Sequence, residues 1–209
     1  MHLYFLNNSA LNTTLVDDSG DERYTVATPW RWSRRTTTIS KTVWVPERSV
    51  EKDSCVTFSE PPTLPDSPAS EESRPSLSTL LSSSFLSPKS SELAQIQWHC
   101  ISNSRLKLAG CIECDLREYL VRSGLLGRLR TFTASDGQSY QWSMGVRAPV
   151  LYRNDHDRVP VARFHGKRFG VPGICKPRDA FLEILPAGEH IADSVVMTFV
   201  YIEKRRRDS

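Results

Sequence analysis

The sequence predicts a mainly β fold, a sandwich or barrel of short strands interrupted by one long insertion. Three observations carry this reading. Apolar and polar residues alternate in short runs. Ala94, Ile96, Trp98 and Cys100 interleave with Gln95, Gln97 and His99. Tyr140, Trp142, Met144 and Val146 interleave with Ser139, Gln141, Ser143 and Gly145. Successive side chains of a strand point to opposite faces, so period two with one apolar face marks a half-buried strand. Turn signals separate the runs, and many short strands with such punctuation suit a sandwich or barrel. The third observation is a stretch of foreign composition: residues 51–93 hold 13 serines and 6 prolines in 43 positions.

Taken in order, Thr13–Val16 and Tyr24–Val26 flank Asp18-Ser19-Gly20, a turn between two strands. Residues 36–45 are dense in threonine, valine and isoleucine, which suit a pleated surface. In residues 51–93 proline removes backbone donors and serine competes for backbone hydrogen bonds, so the segment buries too little apolar surface to offset its ordering entropy. It reads as a disordered insertion in a single domain whose structured parts are residues 1–50 and 94–207. Residues 116–121 have apolar spacing of three and four and end before Gly124, as a short helix would. Asp136-Gly137, between Thr131–Thr133 and Tyr140–Trp142, is a strong hairpin signal. Pro172-Gly173 and Pro186-Ala187-Gly188 break the chain later. The C-terminal run Val195–Ile202 is apolar nearly all round. Periodicity cannot separate a buried strand from a buried helix there, although its β-branched content leans to strand.

Composition narrows the function classes. The chain has 209 residues and a formal net charge of +3, too small to imply nucleic acid, which is not an expected partner. The insertion carries 7 acids and 3 bases, which leaves +7 on the rest. No apolar run approaches the roughly 18–20 residues that span a bilayer, and the first residues lack a signal-peptide core, so the cytoplasm or nucleus is expected. Five cysteines, an odd number without framework spacing, fit that compartment.

The string Asn12-Thr13-Thr14-Leu15, then Asp18, Gly20, Tyr24, Thr28-Pro29 and Thr36-Thr37-Thr38-Ile39 resembles the start of an uncharacterised basidiomycete fungal family (domain of unknown function 6593). Ala94-Gln95-Ile96-Gln97-Trp98, Phe132, Asp136-Gly137, Tyr140-Gln141-Trp142, Val161-Ala162 and the ending Thr198–Arg207 resemble its later parts in the same order. That family is similar to tubby C-terminal, LURP-one and scramblase-like domains. The resemblance implies a closed, tubby-like β-barrel threaded by a hydrophobic C-terminal helix, and so turns the reading of residues 193–204 from strand to helix. On that reading Asp193 or Ser194 caps the helix start, and the hydroxyl of Thr198 bonds a carbonyl one turn back. Contact with anionic lipid or phosphoinositide, known in the tubby group, is implied at the level of the fold alone.

Basic residues are the leading site candidates. Arg163, Lys167 and Arg168, with His165, cluster around Phe164 and Phe169, and Lys204, Arg205, Arg206 and Arg207 follow the apolar C-terminal run. Interleaved cations and aromatics suit a phosphate-bearing partner such as an anionic membrane surface. The plain alternatives are a solvated face and a helix C-terminus complemented by its own charges. Replacing Arg205, Arg206 and Arg207 by Ser is expected to leave the fold intact. The sharpest chemical motif is Cys111-Ile112-Glu113-Cys114, which could serve a redox or metal-dependent enzyme. Metal needs about four ligands and a dithiol needs a βαβ context, and neither is in evidence. No catalytic motif is present, so a non-catalytic binding module without cofactors is expected. The alternatives are that enzyme, or a protein partner docking on the insertion.

Overall fold

The computed structural model describes residues 1–7, 9–29, 35–46, 86–99, 103–110, 113–145, 148–170 and 176–208. They divide into two compact units, Met1–Val43 with Ser90–Ser209, and Trp44–Lys89. Of the second unit only the strand ends 44–46 and 86–89 are described, and Trp44 and Val45 there are exposed.

The strands are β1 (His2–Phe5), β2 (Thr13–Val16), β3 (Glu22–Ala27), β4 (Arg35–Pro46), β5 (Leu86–Trp98), β6 (Arg105–Leu108), β7 (Cys114–Asp115), β8 (Val121–Ser123), β9 (Leu129–Thr133), β10 (Ser139–Met144), β11 (Pro149–Arg153), β12 (Pro160–His165) and β13 (Phe181–Ile184). They form one sheet in the order β7-β6-β5-β4-β3-β2-β1-β13-β12-β11-β10-β9-β8. Its outermost strands, β7 and β8, are neighbours in the chain, joined through the one-turn helix α1 (Leu116–Tyr119). The sheet therefore curls until its edges nearly meet. The expected closed barrel differs here, because no ladder joins β7 to β8 among the described residues.

What the sheet curls around is the C-terminal helix α2 (Ala192–Arg207), in which every residue from Val195 to Glu203 is buried. Strands from across the sheet reach it. Phe199 meets Phe5 of β1, Trp142 of β10 and Phe164 of β12 at ring distances of 5.8, 6.1 and 4.9 Å. Tyr201 stacks on Trp98 of β5 at 5.9 Å. Thr198, a polar residue buried within the helix, has its hydroxyl fully engaged. It donates toward the carbonyls of Ser194 and Val195 at 2.7 and 3.2 Å and accepts from Trp142 Nε1 at 2.9 Å.

The helix start differs from expectation. A 3-10 turn, Pro186–Ile191, leads straight into it, and neither Asp193 nor Ser194 caps it. Asp193 is engaged elsewhere: Tyr24 donates to it at 2.6 Å and Lys41 at 2.9 Å. Tyr24 and Lys41 are cross-strand partners on β3 and β4, so two strands hold the first helical turn. Burial, then the Asp193 bond, push the Tyr24 phenol far above its usual pKa. Gly188 in the 3-10 turn has no room for a side chain, since a Cβ there would sit 2.4 Å from Val161 Cγ1.

Other elements follow the expected pattern with adjusted bounds. The hairpin β9–β10 turns at Asp136-Gly137, with Gly137 at φ 77° and Asp136 Oδ1 accepting from Gln138 N at 2.9 Å. Of the segment read as an insertion, residues 51–85 lie outside the described residues. Its last eight residues are strand, because β5 begins at Leu86; a composition average over serine-rich sequence hides a strand whose apolar face starts only near Leu93 and Ala94. The expected helix over 116–121 is shorter, since Val121 has already joined β8 and pairs with Thr131. Trp142 and Tyr140 are fully buried as expected, whereas Trp98, at the end of its strand, is half-buried.

Two substitutions test this packing. Trp142→Ala removes a fully buried ring together with its indole donor to the Thr198 hydroxyl, and is expected to cost about 3–5 kcal/mol. Tyr24→Phe removes one bond to a carboxylate and is expected to cost about 1.5–3 kcal/mol. Urea melts read both; a midpoint unmoved by Trp142→Ala would place that ring outside the core.

Candidate functional site

The loop between β12 and β13 builds an open recess of about 540 Å³, lined among others by Phe164, Lys167, Arg168, Phe169 and Arg178. Its floor is fixed by β12: Phe164 faces inward onto Phe199, while His165 faces the other way. Beyond the strand, Arg168 and Arg178 pair backbone to backbone, N to O at 2.8 and 3.0 Å in the two directions. That bridge brings together two arginines ten positions apart in sequence. Phe169 stands 79% exposed at the mouth.

Beside the recess, rings stack on the outer face of the sheet. Phe181 of β13 lies against His165 at 4.4 Å, nearly parallel, and the Arg178 guanidinium sits 5.1 Å from the same ring. His165 Nε2 and Glu183 Oε2 are 2.9 Å apart. That bond, aided by the charges of His165 and Arg163 and opposed by partial burial, holds the Glu183 carboxyl below its ordinary value. Lys167 Nζ lies 3.3 Å from Asp179, the one carboxylate close to the cations of the recess in this loop. Three cations facing one carboxylate around an open, aromatic-edged hollow leave positive charge for an anion.

The expected site residues are thus divided. Lys167 and Arg168 line the recess. Arg163 does not; it lies exposed on β12, beside Glu183 of β13 and Val150 of β11. Arg178 was missed by the sequence reading, although Pro172-Gly173 sits midway between it and Arg168, as a turn joining paired positions would. Lys204–Arg207 form the last turn of α2, away from the recess lining. Arg206 makes two bonds of 2.8 Å to Glu203, and Arg207 Nε a third of 2.8 Å. Glu203 is fully buried, so these arginines neutralise an interior carboxylate. These pairs argue against the expectation that Arg206 and Arg207 can be replaced without harm to the fold. Lys204 lies 5.1 Å over the Trp98 ring and 2.5 Å from Asp208. Arg205 is exposed. A second missed residue is Arg130 on β9, buried and donating to the carbonyls of Gly127 and Leu129 at 2.7 and 3.2 Å, with burial lowering its pKa.

Cys111 lies outside the described residues, and Cys114 is half-buried in β7 beside the core. Among the described residues no three histidine, cysteine or acidic side chains gather as a metal set, and no helix is long and apolar enough to cross a membrane.

A curled antiparallel sheet around a buried C-terminal helix, with a cationic recess at one end, defines the class of this domain by its architecture. Residues 8–208 match the model of a family of unknown function (DUF6593), and the chain belongs to that family. No curated protein and no solved structure matches it.

The Glu183 carboxyl beside the recess makes a pH prediction. A carboxyl whose folded pKa is depressed contributes stability that is complete above its ordinary value, 4.5, and is lost as pH falls through the lower folded value. Glu183→Gln is therefore expected to be less stable than the native chain at neutral pH, with the gap narrowing below pH 4.5. Melting temperatures across pH 2–7 read this, and a gap independent of pH would refute the assigned role of the carboxylate.

Proposed function

We propose that this domain is a non-catalytic binding module that takes a phosphate-bearing anion, an anionic lipid or phosphoinositide headgroup foremost, in the recess of Lys167, Arg168, Phe169 and Arg178. The observation that carries the reading is the bridge that sets Arg168 beside Arg178 with Lys167 next to them and an exposed aromatic at the mouth. Guanidinium groups match phosphate oxygens in a planar, bidentate way, and a lysine adds a point charge. The charges of the last helical turn, Lys204–Arg207, would add to the field that attracts such a ligand.

The same reading takes the curled sheet as a tubby-like, barrel-type enclosure of its helix and residues 51–85 as a disordered insertion. Two features support the first part: the edge strands meet through α1, and the helix is buried on every side. A cytoplasmic or nuclear location would bring the recess to membranes whose facing leaflet is rich in anionic lipid.

The test is co-sedimentation with vesicles of phosphatidylcholine alone and with added phosphatidylserine or phosphoinositide, beside titration with a soluble inositol trisphosphate. The triple variant Lys167→Ser, Arg168→Ser, Arg178→Ser is expected to keep the fold, lower affinity about tenfold or more and flatten its salt dependence. Unchanged binding of every anionic probe by the folded triple variant would remove the recess as the site.

A further inference from the structure

In an antiparallel sheet alternate connections fall on alternate ends, so the register assigns each loop to one of two rims. Ser143 pairs with Leu129, Met144 with Pro149, Val150 with Arg163 and His165 with Phe181, while Tyr4 also pairs with Phe181. The connections β1–β2, β8–β9, β10–β11 and β12–β13 therefore share one rim. The C-terminus of α2 lies at this same rim, because Tyr201 and Lys204 contact Trp98 at the end of β5, whose indole bonds Thr37 near the start of β4 at 2.7 Å. The connections β2–β3, β9–β10, β11–β12 and the turn before α2 share the opposite, amino rim.

The rims differ in charge and in the apolar exposure of their described connections. The amino rim carries Asp17, Asp18 and Asp21 in one turn, Asp136 in another, Asp155 and Asp157 in a third and Glu189 before the helix, against Arg158. The carboxyl rim carries Arg128 after β8, then Lys167, Arg168, Lys176 and Arg178 against Asp179 in the β12–β13 loop, and the basic last turn of α2. Three large apolar side chains stand exposed in connections among the described residues: Leu6 at 62%, Leu125 at 91% and Phe169 at 79%. Leu6 lies in the β1–β2 connection, Leu125 in the 3-10 turn Leu125–Gly127 before β9, and Phe169 after β12. All three are on the carboxyl rim. Separate exposed apolar residues need no explanation when scattered over a surface. Val43, Trp44 and Val45 of β4 and Val121 of β8 are exposed within strands; the three exposed in connections share one rim on three different loops, Phe169 next to Arg168 and Leu125 three positions before Arg128.

We propose that the carboxyl rim is a membrane-docking face that seats on an anionic bilayer, with Leu6, Leu125 and Phe169 entering the interfacial zone and the surrounding lysines and arginines at the phosphate plane. The helix α2 then stands end-on to the bilayer, and the acidic amino rim points away from it. Charge draws the rim down and apolar insertion makes the contact resist salt, the pairing of signals that stable peripheral attachment needs. This inference rests on the anion-binding reading of the recess but adds two loops that the recess does not contain.

The test uses the full chain with phosphatidylserine-containing vesicles and a phosphatidylserine monolayer, whose surface pressure rises only if side chains insert. The variant Leu6→Ser, Leu125→Ser, Phe169→Ser is expected to melt as the native chain does, to lose the pressure rise and to bind vesicles about tenfold or more weaker at high salt. Leu125→Ser alone, outside the recess, is expected to lose part of each signal, and an Asp155→Ser control on the amino rim none. Native pressure rise and vesicle affinity in the folded Leu-Leu-Phe variant would overturn the docking face. If vesicle binding then still falls with the Lys167, Arg168, Arg178 triple, the recess reading survives without the insertion. Binding of soluble inositol trisphosphate but of no vesicle overturns the docking face and again leaves the recess standing; binding of neither removes both.

Discussion

The helix α2 has no polar face to give to water, and the rest of the molecule answers that fact. An amphipathic helix can lie on a flat sheet with one stripe buried. Nine consecutive buried residues, Val195–Glu203, leave no such option. Burying a large apolar side chain is worth about 1.5–3 kcal/mol, so the run is stable only if protein surrounds it. The thirteen strands therefore bend round it until β7 and β8 meet through α1. Thr198 and Glu203, polar and caught inside, are both supplied with partners. Thr198 uses its own helix and Trp142, and Glu203 uses Arg206 and Arg207. An interior carboxylate without those arginines would be costly, which is why part of the basic tail is structural.

Enclosing a helix also gives the sheet two chemically different ends. Carboxylates suit the positive end of a helix and cations its negative end. Asp193 lies in the first turn and Lys204–Arg207 in the last. The loops of each rim repeat the sign of the helix residues beside them, so the asymmetry extends well beyond the helix itself. Loops are free of the packing demands that hold the strands, and functional residues gather where a rigid frame presents such loops together. The recess of Lys167, Arg168 and Arg178 has that construction: Phe164 of β12 and Phe181 of β13 are held in ring contacts, and the loop between the strands carries the charge.

The strands were legible where the pattern was local. Tyr140 and Trp142 alternate with polar neighbours, and Asp136-Gly137 has turn chemistry independent of context, so β9, β10 and their hairpin could be read directly. The start of β5 was not legible, because its first residues are serine-rich and solvent-facing and resemble the segment before them. The site was half legible. Lys167, Arg168 and Phe169 are adjacent in the chain, whereas Arg178 joins them only through a backbone pairing, and pairing energy belongs to two segments at once. Arg130 was invisible for a related reason: a buried arginine satisfied by main-chain carbonyls leaves no carboxylate partner to search for.

The sequence by itself determined that the chain is β-rich, where several strands turn, and that one C-terminal run must be buried on all sides. It left that run undecided between strand and helix from periodicity alone, since a segment apolar on every face has no preferred period; only family resemblance tipped the choice. Tertiary structure decided how far the sheet curls, which arginines neutralise Glu203 and which face the surface, and that Leu6, Leu125 and Phe169 share one rim. The reason is physical. Period and turn chemistry act between residues a few positions apart. Curvature, charge pairing across the core and the gathering of three distant loops depend on register between strands far apart in the chain, which no local pattern encodes.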